Sequence, residues 1–105
     1  MPFDEPALGL SALLQAERYR AIATTNLGFG WLWDGEFRAA ETALLDGEKA
    51  CGQWGLGLSE LTARGHLALL AAMRGQHPLA GQLADQARAT ADQHGWSPEP
   101  QASRT

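Results

Sequence analysis

Four kinds of residue in this sequence could carry chemistry. Carboxylates recur in pairs, Asp34 with Glu36 and Asp46 with Glu48, and two carboxyl groups placed together can divide the acid and base roles of a proton transfer. Both pairs fall where solvated acids belong, one at a turn and one on the polar side of an amphipathic stretch. The histidines are His66, His77 and His94, and the one cysteine is Cys51. A metal site needs three or four converging ligands. No two of these histidines form H-x-x-x-H, and Cys51 lies in a different part of the chain, so no metal and no cofactor are implied. Cys51 falls on an apolar stripe, which suits a small core residue better than a nucleophile. His77 precedes Pro78 and suits a helix start, and His94 suits the C-terminal end of a helix dipole. The fourth group is aromatic. The stretch "FGWLWDGEF" holds Phe29, Trp31, Trp33 and Phe37, which could line a pocket or form the spine of a structural unit.

The elements that position these residues are helical. The chain of 105 residues has no valine and a single isoleucine, Ile22, while alanine and leucine dominate. That composition favours helix over strand. Turn signals divide it at Asp34–Gly35, Gly52–Gly57, Arg74–Pro78 and His94–Pro100. Four helices are predicted between them, over Ser11–Trp33, Phe37–Gln53, Ser59–Arg74 and Pro78–His94. Ser11 and Ser59 each follow "LGL" and occupy N-cap places. Pro78 suits a first helical turn, and Gly55 and Gly95 suit C-terminal caps. In the second helix Phe37, Ala40, Leu44, Gly47 and Cys51 form one apolar stripe.

Composition excludes several classes of function. The net charge is −4, and the eight basic residues, seven Arg and Lys49, are scattered. Direct nucleic-acid binding by this segment is therefore not expected. The N-terminus "MPFDEPALG" is acidic and proline-punctuated, unlike a signal peptide. The longest apolar run, Leu67 to Met73, is too short to span a membrane. One cysteine allows no internal disulfide. These features together lead to the expectation of a cytoplasmic protein.

Sliding the chain by forty residues reveals an echo. Leu27 meets Leu67, Gly28 meets Ala68, Gly35 meets Gly75, Ala40 meets Ala80, Gly47 meets Ala87, and Gln53 and Gly55 meet Gln93 and Gly95. A fixed period with one helix pair per unit is the mark of a helical solenoid. Ala40 and Ala80 permit close helix approach at the crossing.

The stretch "NLGFGWLWDGEFRAAETALLDGEKA" resembles a tetratricopeptide repeat, through Leu27–Gly28, Trp31, Gly35, Phe37, Ala40, Leu44 and Gly47. The second unit, "HLALLAAMRGQHPLAGQLADQARATADQHGW", matches more loosely, with His77 and Ala71 in aromatic places. The forty-residue period is similar to the repeat region of large MalT-like transcriptional regulators of the LuxR family. The resemblance covers about residues 21 to 96. It implies an all-α fold of four antiparallel helices in two helix-turn-helix units over residues 1–96, with 97–105 a flexible tail. Such regulators also carry a nucleotide-binding domain and a helix-turn-helix. Neither motif is present, so the chain would be a middle piece of such a regulator or a stand-alone relative.

In the repeat register Trp31 and Phe37 point into the helix pair, while Phe29, Leu32 and Trp33 face elsewhere. The inner surface of a tetratricopeptide array is lined by the first helix of each unit. Carried over, that surface comprises Ile22, Thr25, Asn26, Phe29 and Trp33, then Thr62, His66, Leu69 and Met73. It could receive a peptide or helix, or pack on a neighbouring element of the same fold. Asn26 occupies the place of a carboxylate-clamp residue, but the lysine such a clamp needs is missing, which leaves Asn26 to meet local backbone or water. The function expected is therefore a non-catalytic interaction or effector-sensing module. Its candidate partner- or ligand-binding residues are Thr25, Asn26, Phe29, Trp33, His66, Leu69 and Met73. Its partner would be a protein, a peptide or a small effector. The alternative is a small helical dimer that holds an apolar ligand against Phe29, Trp33 and Met73. Two repeats leave apolar end faces, and a two-fold homodimer covering the first helix, the fourth or both is expected.

Overall fold

The computed structural model describes residues 5–95 as four α-helices, with no strand among the described residues. The expected tail, 97–105, lies outside the described residues. The helices are α1 (Glu5–Trp33), α2 (Phe37–Gln53), α3 (Gly57–Met73) and α4 (His77–Gln93). Their bounds correct the expected N-caps. Ser11 lies well inside α1, and Ser59 lies in the first turn of α3.

The reason lies in the turns. Gly35, Gly55, Gly75 and Gly95 all have positive φ, between 70° and 79°. They stand every twentieth residue, so the spacing that ends a helix pair also separates the helices within it. At the first turn Gly35 N–H donates to the Leu32 carbonyl and Glu36 N–H to the Trp31 carbonyl, at 3.1 and 2.9 Å. These are the two bonds of a Schellman cap. They require a left-handed residue between helix end and exit, a conformation that costs an L-residue about 1–2 kcal/mol and glycine little. The same pair recurs at Gly55–Leu56 and Gly75–Gln76. The next helix begins at once, because the carbonyls of Glu36, Leu56 and Gln76 accept from Ala40, Glu60 and Ala80. The N-cap is thus the residue just after the glycine, and none of the three makes a side-chain cap bond. Three residues connect each pair of helices, which forces neighbours to run antiparallel.

Packing is serial. α1 meets α2, α2 meets α3, α3 meets α4, and α1 also touches α3, whereas α2 and α4 do not meet. The α1–α2 seam is built from Ala21, Thr25, Gly28 and Leu32 on one side and Ala40, Leu44, Gly47 and Cys51 on the other, all buried. Small residues bring the two backbones together. A Cβ on Gly28 would lie 2.8 Å from Leu44 Cγ. One on Gly47 would overlap the Thr25 hydroxyl and lie 3.0 Å from its Cα.

This seam corrects the expected register. Leu32 does not face elsewhere; it is fully buried, in one cluster with Ala40 and Leu70. Phe37 packs on that cluster and is half-buried. Trp31 is not core, being 36% exposed. Its counterpart Ala71 lies on the side of α3 turned toward α2. Among the described residues no helix stands in that relation to α1, so the same position there meets solvent. Leu27 is exposed for the same reason, although its counterpart Leu67 is buried. The other repeat pair behaves alike in kind, with Ala40 fully buried and Ala80 half-buried.

Polar contacts bind α4 to the rest. Arg64 Nε donates to Glu48 on α2 at 2.7 Å, one terminal nitrogen to Glu60 at 2.8 Å, and the other to Thr90 on α4 at 2.9 Å. One guanidinium thus spans three helices. Arg74 pairs with Glu41 at 3.2 Å nearer the turn.

The close seam has a signed consequence. Gly47→Ala should destabilise by about 1–3 kcal/mol, because the added methyl cannot be accommodated without separating α1 and α2. Gly65 lies on an exposed side of α3, where an added Cβ would meet nothing within 4 Å. Gly65→Ala should therefore stabilise by roughly 0.5–1 kcal/mol through helix propensity. Urea titrations of the two variants check both signs.

Candidate functional site

The face shared by α1 and α3 follows from helical spacing. Ile22, Asn26, Phe29 and Trp33 recur at steps of three and four on α1, and Thr62, His66, Leu69 and Met73 do so on α3. The structure brings the two rows together. The Phe29 ring stacks on His66 with centroids 3.9 Å apart and planes 27° from parallel. Beside the stack, Ile22, Thr25, Asn26, Phe29, Ser59 and Thr62 enclose a shallow depression of about 120 Å³. Toward the other end of the face lie Trp33, Leu69 and Met73, which are 70%, 38% and 46% exposed.

Six of the seven expected residues are accessible on this face. Asn26 and Trp33 are exposed, Phe29 and His66 are half-buried by their mutual stacking, and Leu69 and Met73 are exposed. Thr25 departs from expectation. It is 2% exposed and forms only the floor of the depression. Its hydroxyl donates to the Ala21 carbonyl at 3.1 Å and lies 3.6 Å from Cys51 Sγ. The reason is the glycine at position 47, which draws α2 onto the Thr25 side chain.

The face carries little polarity. None of the residues just named bears a fixed charge. His66 Nδ1 lies 2.9 Å from the Thr62 carbonyl oxygen. A carbonyl can only accept, so in this contact Nδ1 is the donor. One imidazole nitrogen and the Asn26 amide are therefore the directional groups among exposed apolar and aromatic side chains. The face thus offers shape and apolar area with few directional groups.

Three of the other chemically capable residues have structural partners or burial. Cys51 is buried in the α1–α2 seam. Glu48 is held by Arg64, and His94 Nδ1 lies 2.9 Å from the Thr90 carbonyl at the end of α4. Among the described residues no group of three or more His, Cys, Asp or Glu could hold a metal, and no helix is long and apolar enough to cross a membrane. Sequence reasoning did not single out a cleft of about 220 Å³ over α3, between α2 and α4. Leu45, Leu67, Leu79 and Leu83 contribute its apolar lining. It arises because α2 and α4 do not meet, a spacing that no local sequence signal encodes. Its charged residues Glu41, Glu48 and Arg74 are in the ion pairs already described. No protein-family model, curated protein or solved structure matches the chain.

Placing Thr25 in the seam rather than on the face can be tested by enlarging it. Thr25→Leu should cost about 1–3 kcal/mol through overpacking. The neighbouring, exposed Asn26→Leu should stay within about 0.5 kcal/mol of the parent. Equal urea midpoints for the two would contradict the placement.

Proposed function

We propose that this chain is a non-catalytic interaction module whose α1–α3 face receives a protein or peptide partner. The observation that carries this is the Phe29–His66 stack, flanked by the exposed Trp33, Leu69 and Met73. Aromatic anchors with few charges are the usual core of an interface. An exposed tryptophan on a rigid helix loses little conformational entropy on binding. The straight rows on α1 and α3 suit an extended peptide or the apolar side of a helix. The helix pairs, their forty-residue echo and the serial packing support assignment to tetratricopeptide-like repeats. On the motif resemblance, the module is proposed to be a segment of a MalT-like regulator of the LuxR family, where it would sense an effector or partner in the cytoplasm and pass that binding on to other domains.

Display selection of helical and extended peptide libraries on the immobilised protein tests this. Peptides obtained in this way should carry apolar or aromatic anchors. Titrated against Phe29→Ala and Trp33→Ala, they should bind at least about tenfold more weakly, the loss typical of an interface anchor. The exposed Arg38→Ala on α2 should bind as the parent does. Peptides that bind all three variants equally would place recognition elsewhere.

A further inference from the structure

α3 turns Leu67, Leu70 and Ala71 toward α2, and these residues are 6%, 2% and 3% exposed. Forty residues earlier, α1 carries Leu27, Gly30 and Trp31 at the equivalent places, all of them exposed. α1 is thus shaped to receive a helix placed as α2 is against α3, and none of the described helices takes that place. The opposite end of the molecule is complementary in kind. α4 repeats α2, and its His77, Gly81, Ala84 and Arg88 stand where α2 has Phe37, Glu41, Leu44 and Glu48. All four are exposed.

The inner joint shows what would meet what at an outer one. Ion pairs join Glu48 to Arg64 and Glu41 to Arg74, and Ala40 clusters with Leu70. In that antiparallel register Ala71 lies across from the turn Glu41–Leu44. With α4 in place of α2 and α1 in place of α3, Trp31 falls across from Gly81–Ala84. The bulk changes sides. The inner joint sets large residues of α2 against a small one of α3. The outer joint would set an indole of α1 into a hollow of α4, where a Cβ on Gly81 would meet nothing within 4 Å. An exposed glycine inside a helix costs roughly 0.5–1 kcal/mol relative to alanine, and among the described residues no contact accounts for Gly81, as none does for Gly30 or Gly65. The ion pairs Glu48–Arg64 and Glu41–Arg74 map onto Arg88 with Thr24 and Gly81 with Asp34, which leaves one charged pair at the outer joint. Gly52 stands against the Glu60 carboxylate, 2.9 Å from where its Cβ would be. The counterparts of these two residues are Asp92 and Arg20, which are of opposite sign.

We propose that copies of this chain stack head to tail, with α4 of one copy lying on α1 of the next and continuing the forty-residue repeat across the boundary. The contact is heterologous, so a stack of any length keeps one free α1 face at one end and one free α4 face at the other. It uses a surface separate from the α1–α3 partner face and stands whether or not that face binds a peptide.

Sedimentation velocity of the full chain between about 1 and 200 µM, a range that brackets weak self-association, should show a mass rising above 11.3 kDa. Trp31→Arg blocks the α1 face and Gly81→Arg blocks the α4 face. Both residues are exposed, and circular dichroism melts confirm that each variant is folded. Each alone should lose association by at least about tenfold. An equimolar mixture should recover it, stopping at twice the chain mass, because the two variants retain opposite intact faces. A parent that stays at 11.3 kDa throughout overturns the proposal. So does a two-fold dimer, in which the parent itself stops at twice the chain mass. An association that both substitutions leave intact overturns it too.

Discussion

One backbone constraint organises this molecule: a left-handed glycine at every twentieth residue. It closes α1, α2 and α3 with two Schellman bonds each, and the following residue opens the next helix without a separate cap. α2, α3 and α4 therefore have the same length of 17 residues. Equal lengths and three-residue connections leave antiparallel neighbours as the arrangement the chain can adopt. The phase of each helix face is then inherited from the turn before it. Residues forty apart consequently occupy equivalent places even where their types differ, as with Trp31 and Ala71 or Asn26 and His66.

Within that frame, small residues decide how closely helices approach. Gly28 and Gly47 let α1 and α2 come near enough for Thr25 to be enclosed. Its hydroxyl then finds partners in Ala21 and Cys51, so burial of a polar group is compensated. The same closeness has an effect on the other side of α1. It turns Ile22, Asn26, Phe29 and Trp33 away from α2 and toward the α3 row, so the packed seam and the open face are two sides of one helix.

Much of this was legible in the sequence. The turn glycines, the four helices and the rows of the α1–α3 face follow from local chemistry and periodicity, which are short-range properties. What escaped was of three kinds. Ser59 has the chemistry of an N-cap, but the Schellman turn starts the helix two residues before it. Trp31, Leu32 and Thr25 sit elsewhere than the register predicts, because their burial depends on which neighbour each side of α1 has. A repeat register describes an interior unit better than a terminal one. Trp31 follows the repeat pattern in position and departs from it in burial, for want of a helix on that side. The cleft between α2 and α4 had no signal at all, since it is defined by two helices that do not touch.

The serial order of contacts has a mechanical meaning. α1 is tied to both α2 and α3, whereas α4 meets α3 alone. A pull on the far end of the described chain is therefore carried by one helix joint, where Ala91 is the one buried residue that α4 contributes and Arg64–Thr90 is the side-chain hydrogen bond. A pull on α1 is shared between two neighbours.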